Sequence, residues 1–98
     1  MFFAIKTTDK PDREELRNRL RAEHLAYLDS QIDKLVAAGA LLSDDGQHAS
    51  GGLLIVDVED RAGAEQFIAQ DPFTKGGLFA QITIERWRKA YLDHKRHI

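Results

Sequence analysis

The sequence predicts an α+β fold of the order β-α-β-β-α-β, on three observations. Strand-like runs occur at Phe2–Thr8, Leu53–Val58 and Phe79–Arg88. Helix-period stretches run from Asp12 to about Ala38 and from about Ala62 to Gln70. A short strand entry at Ala40–Ser43 completes the set. That order suits a four-stranded antiparallel sheet with both helices on one face, the ferredoxin-like arrangement.

In the first run, Phe3, Ile5 and Thr7 fall on one face, and Phe2, Ala4 and Lys6 on the other. A strand that begins at residue 2 is expected in a central, well-anchored position. Asp9-Lys10-Pro11-Asp12 breaks the pattern. Asp12 reads as a helix N-cap, with Glu15 three residues on as in a capping box. Leu16, Leu20, His24, Leu28, Ile32 and Leu35 or Val36 then recur at helical steps. The opposite face, with Arg13, Arg17, Arg21, Asp29 and Lys34, is expected in solvent. Gly39 reads as the helix stop.

Residues 44–52 are turn-rich, and Gly51-Gly52 reads as a strand entry that allows close backbone approach. In the second helix Ala64, Phe67 and Ile68 form the apolar face, and Asp71-Pro72 ends it. Phe73 to Gly77 reads as irregular. In the last strand Phe79, Gln81, Thr83, Glu85 and Trp87 are expected on one face. Residues 89–98 read as a polar tail, with a turn of helix as one option.

The chain has 98 residues, so residues 1–98 are expected to form one domain. A domain of this size buries only about two-thirds of its unfolded surface. The sheet face without helices needs cover, and a second copy of the chain is the economical one, so a homodimer through that face is expected. Hydrophobic residues make up 43% and charged residues 31%, as in folded globular chains. A net charge of -2 offers no footprint for nucleic acid. Cysteine is absent, which removes disulfides, thiolate nucleophiles and iron–sulfur ligation. The first residues resemble no signal peptide, and no run approaches the ~20 apolar residues of a membrane span. A cytoplasmic location is expected, with no membrane association.

Two residues stand out for chemistry. His24 lies on or beside the inward face of the long helix, four residues from Leu20 and from Leu28. Spacing alone favours a packed, hydrogen-bonded core histidine; the functional alternative is an acid or base. Asp71 reads first as a helix-stop residue in an Asp-Pro turn. Its functional alternative is a carboxylate that accepts from one imidazole nitrogen of His24 and raises the basicity of the other. Arg21 reads as a solvated helix arginine, or as a clamp for a carboxylate or phenolate at a pocket mouth. Phe73 follows Asp71 closely enough to stand near the same pocket. His48, His94 and His97 read as surface residues. Asp44, Asp45 and His48 lack a second histidine at ligand spacing, so no metal site is expected.

Arg21-x-x-His24-Leu25-x-x-Leu28, Gly39-Ala40-Leu41-Leu42, Gly51-Gly52-Leu53-Leu54-Ile55 and Asp71-Pro72-Phe73 together resemble the signature of the YCII-related family. The resemblance spans nearly the whole chain. It implies a dimeric α+β barrel, in which the sheets of two ferredoxin-like monomers pack together. It also implies an active site built on one histidine and one aspartate, which fall on His24 and Asp71. Arg21 matches an arginine that often precedes the histidine by three. Ser43-Asp44 stands where relatives often carry Gly-Pro, and Glu85-Arg86-Trp87 where they often carry a proline, so substrate identity does not transfer. The expectation is a cofactor-independent isomerase or lyase that acts by proton transfer on a small cyclic or carbonyl compound. Its alternatives are a non-catalytic ligand-binding module and a dimeric interaction domain.

Overall fold

The computed structural model describes residues 1–98. β1 (Phe2–Asp9) leads into α1 (Glu14–Ser30), a 3-10 turn (Ile32–Lys34), β2 (Leu35–Leu42) and β3 (Ala49–Asp57). α2 (Arg61–Ala69), the short α3 (Pro72–Lys75) and β4 (Phe79–Trp87) follow, then a small hairpin of β5 (Tyr91–Leu92) and β6 (Lys95–Arg96). The main sheet has the order β2-β3-β1-β4, with every pair antiparallel. This is the ferredoxin-like fold, with β1 in a central position.

The core lies between one sheet face and the helices. Phe3 and Ile5 of β1 meet Leu54 and Val56 of β3, Leu28 of α1, and Ala64, Phe67 and Ile68 of α2. Burial of each large side chain contributes about 1.5–3 kcal/mol. Asp60 caps α2, its side chain accepting from Gly63 N at 2.9 Å. β3 begins at Ala49, so Gly51 lies within the strand rather than at its entry, and a Cβ there would stand 1.9 Å from the Thr7 carbonyl oxygen. Only glycine permits that approach of β3 to β1.

The structure corrects several local expectations. α1 ends at Ser30, not near Ala38, and Leu35–Leu42 forms β2 with Gly39 in mid-strand. An apolar run such as Leu-Val-Ala-Ala-Gly-Ala-Leu-Leu fits helix and strand alike, and here the ladder with β3 decides. Asp12 is not the N-cap. It takes a left-handed conformation, φ 59°, in the turn after Pro11, and Arg13 precedes the helix without a side-chain cap. Residues 72–75 are helical rather than irregular. The tail forms a hairpin whose turn residues, Asp93 and His94, both have positive φ (52° and 62°), the geometry that joins two strands tightly.

Phe79 also departs from simple alternation. A register shift at Thr8/Asp9 pairs Asp9 with Phe79 and Thr8 with Gln81. The extra residue turns Phe79 to the core side, where it packs against the main cluster.

Candidate functional site

A cavity of about 550 Å³ opens between α1, the β2–β3 end of the sheet and the start of α3. Its floor is apolar, with Leu28, Leu54, Phe73 and Phe79. Its polar groups come largely from one stripe of α1, Arg17, Arg21 and His24, with Asp71 from the far side. Positions 17, 21, 24 and 28 fall on one face because the helix repeats every 3.6 residues.

Asp71 is held by its local sequence. It is the N-cap of α3, Pro72 fills the first helical position, and Asp71 Oδ1 accepts from Phe73 N at 2.9 Å. α3 packs closely on α1 at Gly76, where a Cβ would lie 2.4 Å from Leu20 Cδ1, a side-chain end that can move aside. The carboxylate is fully buried. It faces His24, whose Nδ1 lies 2.9 Å from both Oδ1 and Oδ2.

A carboxylate can only accept, so the hydrogen on the neutral imidazole belongs on Nδ1. Nε2 then carries the lone pair, and it has no hydrogen bond within the chain. The ring is further fixed by Phe73, stacked on it at 3.9 Å between centroids and 10° between planes. Phe79 meets Phe73 edge-on at 6.0 Å. His24 is thus gripped through one nitrogen and one ring face, and its remaining polar atom is available to a ligand.

Nearby, the Tyr27 hydroxyl donates to the Phe67 carbonyl at 2.6 Å. Burial raises the Tyr27 pKa above its usual 10.0, and the negative charge of Asp71 adds to the effect. At the opposite rim, the exposed His48 Nδ1 lies 2.7 Å from Glu14 Oε1, joining the β2–β3 loop to the first turn of α1.

The structure therefore brings His24, Asp71 and Phe73 into direct contact. Arg21 is exposed and lines the cavity without an ion pair. Arg17 departs from the solvated face on which its charge alone places it. It is largely buried and pairs with Asp9, Nη1 to Oδ2 at 2.7 Å. The available signal was its spacing: seven residues before His24 is two helical turns, hence the same stripe.

Fold and cavity define a ferredoxin-like α+β protein with a ligand-sized pocket beside its helices. The YCII-related domain matches residues 1–88, and the chain belongs to that family. A solved structure similar to it is 5-chloro-2-hydroxyhydroquinone dehydrochlorinase (TftG) from Burkholderia phenoliruptrix AC1100, in complex with 2,5-dihydroxybenzoquinone. The two share 36% identity, covering 90% of this chain and 94% of that one, with a TM-score of 0.83. An uncharacterized protein of Haemophilus influenzae is 28% identical over 93% of this chain and 100% of its own length. Protein YciI of Escherichia coli is 26% identical with the same coverage, 93% and 100%. The likeness to TftG supports small-molecule enzyme activity in general terms. No helix is long and apolar enough to cross a membrane.

Proposed function

We propose that this chain is a cofactor-independent enzyme that moves protons on a hydroxylated or quinonoid six-membered ring. His24 is its acid and base, and Asp71 is the carboxylate that orients it. Arg21 and Phe73 bind substrate at the mouth and on the floor. The observation that carries this reading is the His24–Asp71 pair on the cavity wall, with Nδ1 2.9 Å from the carboxylate and Nε2 free of partners.

An imidazole so held needs no reorganisation as it takes a proton, and Asp71 offsets the charge that forms. A positioned base supplies about 10²–10⁴-fold in rate. The likeness to TftG suggests the ring class, and it favours elimination over simple isomerisation. For a halogenated hydroxyhydroquinone the steps balance as two proton movements. First, a hydroxyl proton passes through His24 to the carbon that bears the halogen, and the O–H pair becomes a carbonyl. Second, His24 removes another hydroxyl proton, a second carbonyl forms, and the halide departs with its bonding pair. A quinone, a halide and a proton result. Arg21, close to the mouth, offsets the negative charge that builds on ring oxygen.

The test is turnover of chlorinated hydroxyhydroquinones by wild type and His24→Ala. A fall of about 10²-fold or more is expected. Saturable binding with no product from wild type would instead support a binding module.

The same reading makes the protein a homodimer through its open sheet face. Phe2, Ala4, Leu53, Ile55 and Trp87 share that face by register, and Leu53 is 41% exposed. A second sheet laid on them would bury an apolar surface that a chain this small gains from covering.

A further inference from the structure

The cavity wall carries a second polar centre that the proton-transfer reading leaves unused: Arg17, which lines the cavity and pairs with Asp9 outside the lining. Arg17 Nη1 donates to Asp9 Oδ2 at 2.7 Å, and only 14% of the Arg17 side chain and 8% of the Asp9 side chain are exposed. Arg17 Nη2 reaches the Gly51 carbonyl at the long distance of 3.4 Å. Asp9 Oδ1 is buried with no partner. The pair is therefore joined by one strong bond, not by the two parallel bonds an arginine and a carboxylate form when they serve each other alone.

A guanidinium carries five N–H donors. Here one strong and one long acceptor account for two of them. The rest of its donor capacity belongs to a group on the cavity wall, removed from most of the water that would otherwise use it. No Arg17 nitrogen is both buried and without a partner, so its unused donors remain open to what enters the cavity.

Phe73 ties this centre to the first. Arg17 Cζ lies 4.9 Å from the Phe73 ring centroid, and the His24 ring lies 3.9 Å from it. Their backbone positions differ by roughly 10 Å along α1, at about 1.5 Å per residue. Both side chains nonetheless converge on one aromatic ring, close enough to touch different positions of one small ligand.

The geometry points to Arg17 as an anion-binding residue of the pocket, one that holds a ring oxyanion while His24 handles a proton elsewhere on the same ring. Asp9 is its positioning residue. This rests on the functional reading above and adds a charge requirement: the ligand binds as a phenolate or an enolate of a hydroxyquinone, and a neutral ring of similar size binds less well. Arg21, exposed at the mouth, screens the entering charge. Arg17, less exposed and fixed by Asp9, selects for it.

The test is calorimetric titration of the full chain with 2,5-dihydroxybenzoquinone, a vinylogous carboxylic acid that is anionic at neutral pH, and with neutral hydroquinone. Arg17→Gln is expected to weaken the quinone anion at least about tenfold, and hydroquinone less than about twofold. Asp9→Asn is expected to weaken the anion as well, and to add nothing further in the Arg17→Gln background, because it acts through Arg17. Should Arg17→Gln fail to fold, Arg17→Lys decides. A several-fold loss confined to the anion is then expected, since a point charge replaces the fork. Unchanged anion affinity, equal losses for both ligands, or additive effects of the Asp9 and Arg17 changes would overturn the assignment. Turnover by the wild type, measured alongside, separates the two ideas. Product formed without any Arg17 dependence overturns this inference and leaves the His24 reading standing. A wild type that binds neither ring overturns both.

Discussion

Asp71 serves two partners with one carboxylate: it caps α3 through Phe73 N and faces Nδ1 of His24. Asp71→Asn keeps the shape and can keep the cap, yet it can offer N–H to Nδ1 and so favour the tautomer with its hydrogen on Nε2. The proposed base would then lack its lone pair. Turnover is expected to fall by about 10²-fold or more with little change in KM, read by steady-state kinetics. Tyr27 makes a separate prediction. Its folded pKa is raised, so its contribution to stability is fully present below its usual pKa of 10.0 and is lost as pH rises through the folded value. Tyr27→Phe should cost about 1 kcal/mol at neutral pH through the lost bond to Phe67, and should flatten the loss of stability above pH 10.0. Chemical denaturation across pH checks both. At this scale the sequence was partly legible. His24 on an inward stripe and Asp71 before a proline could be singled out, whereas Arg17 looked like any surface arginine. Its burial depends on Asp9, which approaches it only once β1 and α1 pack.

Elements were legible where period and punctuation agreed. β1, with its clean alternation, and α2, with Ala64, Phe67 and Ile68 before Asp71-Pro72, lie close to where the pattern puts them. The end of α1 was not, because Leu35–Leu42 satisfies both periods and lacks β-branched residues except Val36. Nor was the inward turn of Phe79, which a register shift imposes from the neighbouring strand. The Gly51-Gly52 reading carries a test. Gly51→Ala would drive a Cβ into the Thr7 backbone, which cannot move aside as a flexible side chain can. A loss of about 3 kcal/mol or more is expected, measured by urea unfolding. A loss below 1 kcal/mol would mean that β1 and β3 do not approach as described.

On the scale of the molecule, the β-α-β-β-α-β order and the uncovered sheet face both followed from the sequence, because each rests on long apolar patterns rather than on any one residue. What covers that face depends on a second surface that a single chain does not contain. With a homodimer there, Ile55→Glu on the open face should shift the mass measured by light scattering toward monomer and lower Tm, and the wild-type Tm should rise with protein concentration. A monomeric wild type at all concentrations would end the dimer reading without touching the cavity. The proposed activity stands or falls on proton transfer at His24. Chemical rescue reads that step most directly: turnover of a chlorinated hydroxyhydroquinone by His24→Ala, with increasing imidazole in the buffer. The account predicts a rate about 10²-fold or more below wild type that climbs with imidazole concentration. A His24→Ala enzyme as fast as wild type, or one crippled yet indifferent to imidazole, would contradict it.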